Sequence, residues 1–378
     1  MKRRLLVEAL LLLLALSITM ATATALRPAL TLADQKRIIK IVPEPGFGAG
    51  VPWDTMFDVS LDKSFAILPD GSFFLGAAKD GKIYKFDAAG KLLKSFGRKG
   101  QGPGDLQSIS TLDILDGKTL IVNEGARRLS LFDFDGRYLQ SIRAGGDVLG
   151  MAALENGKVA MVVGVPGESD AKTVRSIYKV VVLDVASGAQ KEIAAFTHEM
   201  RIGGFFVRIT AFDPHPRLSM AGRGALVVAF PESPDIQLFS ADGERRGTIK
   251  LGIEPTRFDW EHFSYITEMD KDDQARKIFT ANKDKIALPA NLPYFLGVTV
   301  DDAGRLIVYE NNFARLSRDV TFRAYSLEGK LMTAGRIDPG EFEAVKPLDF
   351  WHGYAYTWLT RKGGDGSFVM ARWKFREE

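Results

Sequence analysis

The sequence contains no cysteine, and this absence excludes several kinds of chemistry. Disulfide bonds, thiolate nucleophiles, cysteine-ligated zinc and iron–sulfur clusters all need the missing side chain. Lipoprotein anchoring is excluded as well, because that modification acylates a cysteine. The fold must therefore be stabilised without covalent cross-links between side chains.

A strong excess of charge of one sign is also absent. The 50 lysines and arginines are nearly balanced by 47 aspartates and glutamates, which leaves a formal net charge of +3. Nucleic-acid-binding domains usually present a clustered basic surface, so we expect no nucleic-acid partner. Apolar residues make up 46% of the chain, which is ordinary for a folded protein with a large core.

Long apolar runs are lacking after the first residues, where the pattern is that of a cleavable signal peptide. A basic stretch at 2–4 precedes the apolar run Ala9–Met20, and 21–25 offers two small-x-small cleavage sites. We expect cleavage after Ala23 or Ala25, a signal peptide at 1–25, and a periplasmic or extracellular protein with no membrane span afterwards. A retained anchor is the alternative, but the uninterrupted run is shorter than the roughly 20 residues that cross a bilayer.

One short phrase recurs along the rest of the chain. An aromatic residue or leucine is followed by a polar residue and a turn that closes on glycine. The five copies are Phe86–Gly90, Phe132–Gly136, Leu183–Gly188, Phe239–Gly243 and Tyr325–Gly329. Each copy predicts a hairpin in which the large side chain is buried and glycine adopts the positive φ of the turn.

The spacing of these phrases predicts a repeat architecture. The first four lie roughly one four-stranded blade apart, since a propeller repeat takes about 40 to 45 residues plus its loops. The last interval is longer by roughly forty residues relative to that repeat. We place a helical insertion there, at about 255–293, with a helix over Thr256–Thr280 that begins with a capping pair formed by Thr256 and Asp259.

These units predict an all-β protein, a six-bladed β-propeller with a helical insertion before blade five. The expected blades are Asp58–Phe96, Leu106–Arg143, Leu149–Phe196, Val207–Leu251, Leu296–Ile337 and Leu348–Phe375. The sixth is one strand short, and we expect Arg37–Val42 to supply it and to join the last blade to the first. Closure protects the strand edges, so we predict one domain over 26–378.

Two segments resemble known propellers. Leu120–Gly136 resembles the repeat of NHL-type propellers, and Gly97–Leu106 resembles the inter-blade signature of the bacterial six-bladed β-propeller family, which is similar to NHL proteins. That signature usually ends in Glu-Phe, whereas this chain has Asp105 and Leu106. The resemblance implies a six-bladed fold in an exported protein, in a group that includes binding scaffolds, calcium-dependent lactonases and lyases.

The glycine-rich segment Gly97–Gly104 suggests a ligand site. Its backbone N–H groups could bind an anion, with Arg98, Lys99 and Gln101 from the same loop. Arg127 and Arg128, in the NHL-like repeat, complete the candidate ligand-binding residues. The alternative, which we favour, is a crossover loop between blades, because no helix pattern follows as a P-loop requires.

Polar side chains that follow equivalent strands, which we expect on the inner side of their blades, suggest a metal site. Asn123, Glu124 and Asn311 could offer oxygen ligands to calcium. Turn chemistry is the simpler interpretation, since asparagine and aspartate favour such loops whatever the function. We therefore expect no cofactor and keep Ca²⁺ as the alternative.

Aromatic residues crowd the last blade. Tyr354, Tyr356 and Trp358 alternate along one strand and so share one face. A stacking surface for a sugar or peptide is one interpretation. We predict instead that this face packs against the neighbouring blade.

The sequence shows no recognisable catalytic set. We therefore expect a monomeric exported scaffold that binds a protein partner or a small-molecule ligand through the loops at the channel mouth. The alternative is a calcium-dependent hydrolase, lactonase or lyase of the propeller type. A third hypothesis is a structural role in an envelope assembly, in which the helix at Thr256–Thr280 docks a partner.

Overall fold

The computed structural model describes residues 38–40, 42–57, 64–125, 127–170, 172–201, 215–221, 224–267, 273–310, 320–337, 342–361 and 368–374. Strands dominate these ranges and form six sheets. None of the helices within them combines the length and apolar character that a bilayer crossing needs.

The first three sheets are blades of four antiparallel strands in simple sequence order. Blade one contains β3 (Phe65–Ile67), β4 (Phe73–Ala77), β5 (Lys82–Phe86) and β6 (Leu92–Phe96). Blade two contains β7 (Thr111–Leu115), β8 (Thr119–Asn123), β9 (Arg128–Asp133) and β10 (Tyr138–Arg143). Blade three contains β11 (Asp147–Ala153), β12 (Lys158–Pro166), β13 (Thr173–Asp184) and β14 (Gln190–Arg201).

The remaining sheets continue this order and take up the start of the chain. Blade four contains β15 (Arg217–Ala221), β16 (Ala225–Ala229), β17 (Asp235–Ser240) and β18 (Arg245–Lys250). Blade five contains β19 (Phe295–Val300), β20 (Leu306–Glu310), β21 (Val320–Tyr325), β22 (Leu331–Ile337) and the added β1 (Ile38–Lys40). Blade six contains β23 (Phe342–Trp351), β24 (Tyr354–Arg361), β25 (Phe368–Lys374) and β2 (Val42–Pro43).

The recurring phrase forms the turn between the third and fourth strands, as predicted. In blade two, Gly136 donates its N–H to the Asp133 carbonyl at 3.0 Å and has φ +84°. A side chain there would meet the Phe96 ring, so both the positive φ and the lack of space require glycine. The large residues at the start of the five copies are all buried, namely Phe86, Phe132, Leu183, Phe239 and Tyr325.

The six blades close into a ring. The first strand of each blade lies against the first strand of the next, and β23 also contacts β3. We call these six strands, β3, β7, β11, β15, β19 and β23, the inner strands. Each of the six gaps between neighbouring blades is filled by a cluster of buried apolar side chains. The fold class predicted from the sequence is therefore correct.

The gap between blades six and one is the most aromatic. Tyr356 and Trp358 are buried there against blade one, as the alternation predicts. Trp53 belongs to the short helix α1 (Trp53–Met56), and its ring centroid lies 5.1 Å from that of Phe86, in a tilted arrangement, and 5.8 Å from that of Trp358. Burial of these rings contributes much of the free energy that holds the last blade to the first.

The strand that was expected over Arg37–Val42 is split in two. Only Val42 and Pro43 complete blade six, antiparallel to β25. The three residues of β1 instead pair in parallel with β22 and extend blade five. The prediction that this segment pairs with the last blade is thus correct for Val42, whereas β1 pairs with blade five.

Within its described residues, the insertion before blade five contains two α-helices instead of one. Helix α2 (Trp260–Ile266) begins at Asp259, whose carboxylate accepts from the backbone N–H groups of Glu261 and His262. The proposed cap is therefore wrong by three residues, since Asp259 and not Thr256 is the N-cap. Helix α3 (Asp273–Ala281) and a 3₁₀ turn (Lys283–Lys285) follow. The insertion has its own small core of Phe258, Phe263 and Leu292.

Candidate functional site

The glycine-rich segment is the connection between β6 and β7, so the crossover-loop interpretation is the one that matches the structure. Leu106 is fully buried and donates its N–H to the Arg98 carbonyl at 2.9 Å. The Arg98 guanidinium lies 2.6 Å from the Asp105 carboxylate, which also accepts from the Gly102 N–H at 3.1 Å. The loop is closed by its own hydrogen bonds.

Arg128 ties this loop to blade two. Its guanidinium forms a two-pronged pair with the fully buried Glu124 carboxylate, with N–O distances of 2.8 and 2.5 Å. The same guanidinium donates to the carbonyls of Asp105 at 3.0 Å and Gln101 at 3.4 Å. The hydrogen bond to Glu124 raises the pKa of Arg128. Its donors are directed at protein acceptors.

The predicted ligand-binding residues thus separate into three groups. Arg98, Gln101 and Arg128 belong to one network, in which Gln101 takes part through its backbone. Lys99 forms a backbone bridge with Leu106, and its side chain is exposed. Arg127 forms an exposed pair with Asp147 at 2.8 Å, between blades two and three. Any ligand-binding role of these five residues stays a prediction.

The predicted calcium ligands are engaged in the structure. Besides Arg128, Glu124 accepts from the Gln107 N–H at 3.0 Å and from the Ser130 hydroxyl. The Asn123 amide donates to the Val148 carbonyl at 3.0 Å and accepts from the Gly125 N–H at 3.0 Å. Asn311 lies outside the described residues.

A second set of polar residues emerges only from the strand register. In blade two, Phe132, Leu120 and Ile114 lie opposite one another on three neighbouring strands and form a row across the blade. Asp113 is the residue that comes just before this row on the inner strand. The same row in the other blades identifies five equivalent residues. The six members of this axial level are Ala66, Asp113, Ala152, Ser219, Thr299 and Asp349.

Polar side chains of the axial level bind the next inner strand around the ring. Asp113 accepts from the Ala153 N–H at 2.7 Å, and Ser219 accepts from the Val300 N–H at 2.9 Å. Inner strands have no further strand on their axial side, so these bonds satisfy backbone groups that would otherwise face the channel. The axial level therefore joins neighbouring blades.

Asp349 departs from this pattern. Its Oδ1 accepts from the Thr299 hydroxyl at 2.9 Å and from the Phe350 N–H at 2.8 Å. Among the residues that the structure describes, no donor lies within hydrogen-bond distance of its Oδ2. Asp113 differs, because its Oδ1 and Oδ2 each accept one backbone N–H.

Burial makes both carboxyl groups weaker acids than an ordinary aspartate. It raises the pKa of Asp113 to about 6. It raises the pKa of Asp349 to about 7, with smaller contributions from the negative charges of Asp113 and Asp301. Groups that titrate near neutrality inside a channel are candidates for binding or proton transfer.

Two buried hydroxyls, one in blade one and one in blade five, lack a partner among the described residues. Ser64, just before β3, is fully buried, and Tyr309 on β20 is 8% exposed. Neither hydroxyl has a hydrogen-bond partner within the described part of the chain. Burial raises the pKa of Tyr309 well above its usual range, and the Asp349 charge adds to this effect.

The sequence reasoning missed the axial residues, although a signal was present. Asp113 lies between Leu112 and Ile114, and Asp349 lies between Leu348 and Phe350. An aspartate inside an apolar strand is costly to bury unless it has a specific role. No comparable signal distinguishes Tyr309 from an ordinary core residue.

The chain is similar to several solved structures, and the likeness to the first one described here supports the fold. A member of the DUF4221 family from Bacteroides vulgatus is 10% identical, with a TM-score of 0.52, over 91% of this chain and 100% of that chain. A candidate exported protein from Bacteroides fragilis is 12% identical, with a TM-score of 0.49, over 90% and 100%. A streptogramin B lyase is 13% identical, with a TM-score of 0.45, over 89% and 88%.

These structures are propeller-type proteins, and at such low identity the likeness concerns the fold alone. No protein-family model matches the sequence, and no curated protein matches it either. The NHL-type resemblance therefore stays a prediction.

Proposed function

We propose that this chain is an exported propeller scaffold that binds a small ligand at its axis, with the loops at the channel mouth as the entrance. One observation supports the proposal above all others. Asp349 occupies a level at which Asp113 and Ser219 bind the backbone of the next blade, yet its Oδ2 has no partner among the described residues. Asp349 is half-buried, and this oxygen can accept a hydrogen bond from the donor group of a ligand.

Export is part of this proposal and rests on the leader at 1–25. The proposed compartment is the periplasm or the cell exterior, and the proposed domain spans 26–378. Monomeric binding is sufficient, because the axial residues all come from one chain.

The calcium-assisted alternative, a hydrolase, lactonase or lyase, is a separate proposal. Its suggested ligand Glu124 accepts two hydrogen bonds from the Arg128 guanidinium, so calcium would have to displace that group. This alternative predicts that calcium raises the melting temperature of the protein and that Glu124→Gln removes the rise. The axial proposal predicts no such dependence on Glu124.

A ligand screen tests the axial proposal. A library of charged and polar metabolites is added to wild type, Asp349→Asn and a control, Asp135→Asn, and melting temperatures are compared. Asp135 is an exposed residue of the β9–β10 turn that pairs with Lys94. We expect ligands that stabilise wild type and Asp135→Asn and lose most of this effect in Asp349→Asn. Equal shifts in all three proteins, or no shift with any compound, would contradict the proposal.

A further inference from the structure

The blade next to that of Asp349 carries a second oxygen without a partner among the described residues, the Tyr309 hydroxyl. Tyr309 belongs to β20, opposite Gly297 of the inner strand β19. Because Gly297 has no side chain, the tyrosine ring lies across it, and an added Cβ would be 3.3 Å from Tyr309 Cδ2. The ring therefore occupies the place that an inner-strand side chain would otherwise take.

The tyrosine ring also reaches the inner strand of blade six. Its centroid lies 5.5 Å from that of Phe350, the residue next to Asp349. Thr299, two residues from Gly297 on β19, donates its hydroxyl to Asp349 Oδ1 at 2.9 Å. The tyrosine ring and the Asp349 carboxylate thus both contact β19, at Gly297 and at Thr299 respectively.

These groups have the chemistry of an ammonium site. An open carboxylate oxygen and a hydroxyl oxygen both accept hydrogen bonds from N–H donors, and charge-assisted bonds of this kind are strong. Aromatic faces such as those of Tyr309 and Phe350 also attract organic cations. Calcium, in contrast, prefers six to eight oxygen ligands.

We infer that the axial ligand carries a protonated primary amine, which donates to Asp349 Oδ2 and to the Tyr309 hydroxyl. This inference rests on the axial binding proposed above and adds the chemical class of the ligand. Asp349 attracts the cation by its charge, and Tyr309 positions it.

Binding should be linked to proton release. The charged or titratable groups that face Asp349 are Asp113, Asp301, Tyr309 and Tyr356. With a pKa of about 7, Asp349 is half protonated at pH 7. A bound ammonium group favours the ionised carboxylate, so we expect release of up to about half a proton from Asp349 at pH 7.

Titration with propylammonium chloride tests the inference, monitored by ligand-observed NMR at pH 6, 7 and 8. We expect millimolar affinity, because so small a ligand makes few contacts with the protein. The affinity should increase with pH, fall roughly tenfold or more in Asp349→Asn, and fall less in Tyr309→Phe. The controls are 1-propanol as a neutral ligand and Tyr138→Phe, whose hydroxyl contacts Ser141 on the outer strand β10.

Each other result overturns the inference. Equal propylammonium affinity in wild type and Asp349→Asn would show that the amine binds elsewhere. Calcium binding that requires Asp349, without amine binding, would assign the site to a metal. If neither probe binds but library ligands still depend on Asp349, the amine inference fails and the axial proposal survives. Circular dichroism and thermal melting verify that each variant is folded.

Discussion

Asp349 and Asp113 occupy equivalent positions on two inner strands but differ in their hydrogen bonds. Both oxygens of Asp113 accept backbone N–H groups, and hydrogen bonds to a carboxylate favour its charged form. Only one oxygen of Asp349 is satisfied among the described residues. Burial raises the pKa of both carboxyls, to about 7 for Asp349 and about 6 for Asp113, and the negative charges of Asp113 and Asp301 raise that of Asp349 further.

The raised pKa of Asp349 predicts how stability depends on pH. The folded pKa is about 7 and the ordinary value is 3.8, so between these pH values the folded state binds more protons than the unfolded state. The stability that comes from the neutral carboxyl is therefore complete below about pH 4 and lost as the pH rises to 7. Asp349→Asn removes this loss, and we expect it to be more stable than wild type at pH 8 by roughly 2 to 4 kcal/mol.

Urea unfolding at pH 4.5, 6 and 8 measures this effect. The difference between Asp349→Asn and wild type should be small at pH 4.5 and largest at pH 8. Asp135→Asn, at an exposed position, should show no such increase. A constant difference across the three pH values would mean that Asp349 is ionised throughout.

At the residue scale the sequence could identify Asp349 only as an aspartate in an otherwise apolar strand. Its position in the ring depends on the register of blade six, and that blade lacks the closing glycine that marks the other five. The partner of Thr299 is 50 residues away along the chain. Contacts of this kind depend on how blades pack, which local patterns do not report.

At the scale of elements, blade two shows two ion pairs of contrasting environment. Glu124 and Arg128 connect β8, β9 and the crossover loop, and the glutamate is fully buried. Arg127 and Asp147 join blades two and three at the surface, with side chains 62% and 59% exposed. Glu124 also accepts from the Gln107 N–H and the Ser130 hydroxyl, so its removal leaves several donors without an acceptor, whereas both partners of the second pair are exposed to water.

Alanine substitutions at the two acids measure this contrast. We expect Glu124→Ala to lower the free energy of unfolding by roughly 3 to 5 kcal/mol, because Arg128 loses its partner inside the loop network. Asp147→Ala should cost less than about 1 kcal/mol, as is usual for exposed pairs. Chemical denaturation of both variants gives the values. Similar losses would show that the buried pair does not hold the loop.

The elements themselves were largely predictable, because their signals are local. A large residue followed by a glycine turn predicts a strand end wherever it occurs, and all five copies form that turn. The helix cap was misplaced because Thr256 and Asp259 both have cap chemistry, and the choice depends on where the chain leaves blade four. The division of the first strand between two sheets leaves no trace in the sequence pattern.

At the scale of the molecule, the ring depends on the segment that precedes α1. β2 completes blade six, and Glu44 continues this pairing by donating its N–H to the Arg372 carbonyl at 2.7 Å. The Arg372 guanidinium lies between the rings of Phe47 and Tyr354, at 4.8 and 4.6 Å, and bonds to Glu44 at 2.5 Å. Without this segment β25 becomes an open edge, and the aromatic cluster between blades six and one loses part of its cover.

Truncation tests whether this closure stabilises the whole ring. Residues 1–43 are removed in one variant and residues 1–36 in a control, since Arg37 begins the unit to which all described strands belong. If the blades unfold together in one step, loss of β1 and β2 lowers the free energy of unfolding of the whole ring. We then expect one cooperative transition in both proteins, with a melting temperature roughly 10 °C lower in the longer truncation. Two separate transitions, or equal melting temperatures, would show that the blades unfold independently and that the N-terminal strands are dispensable for the ring.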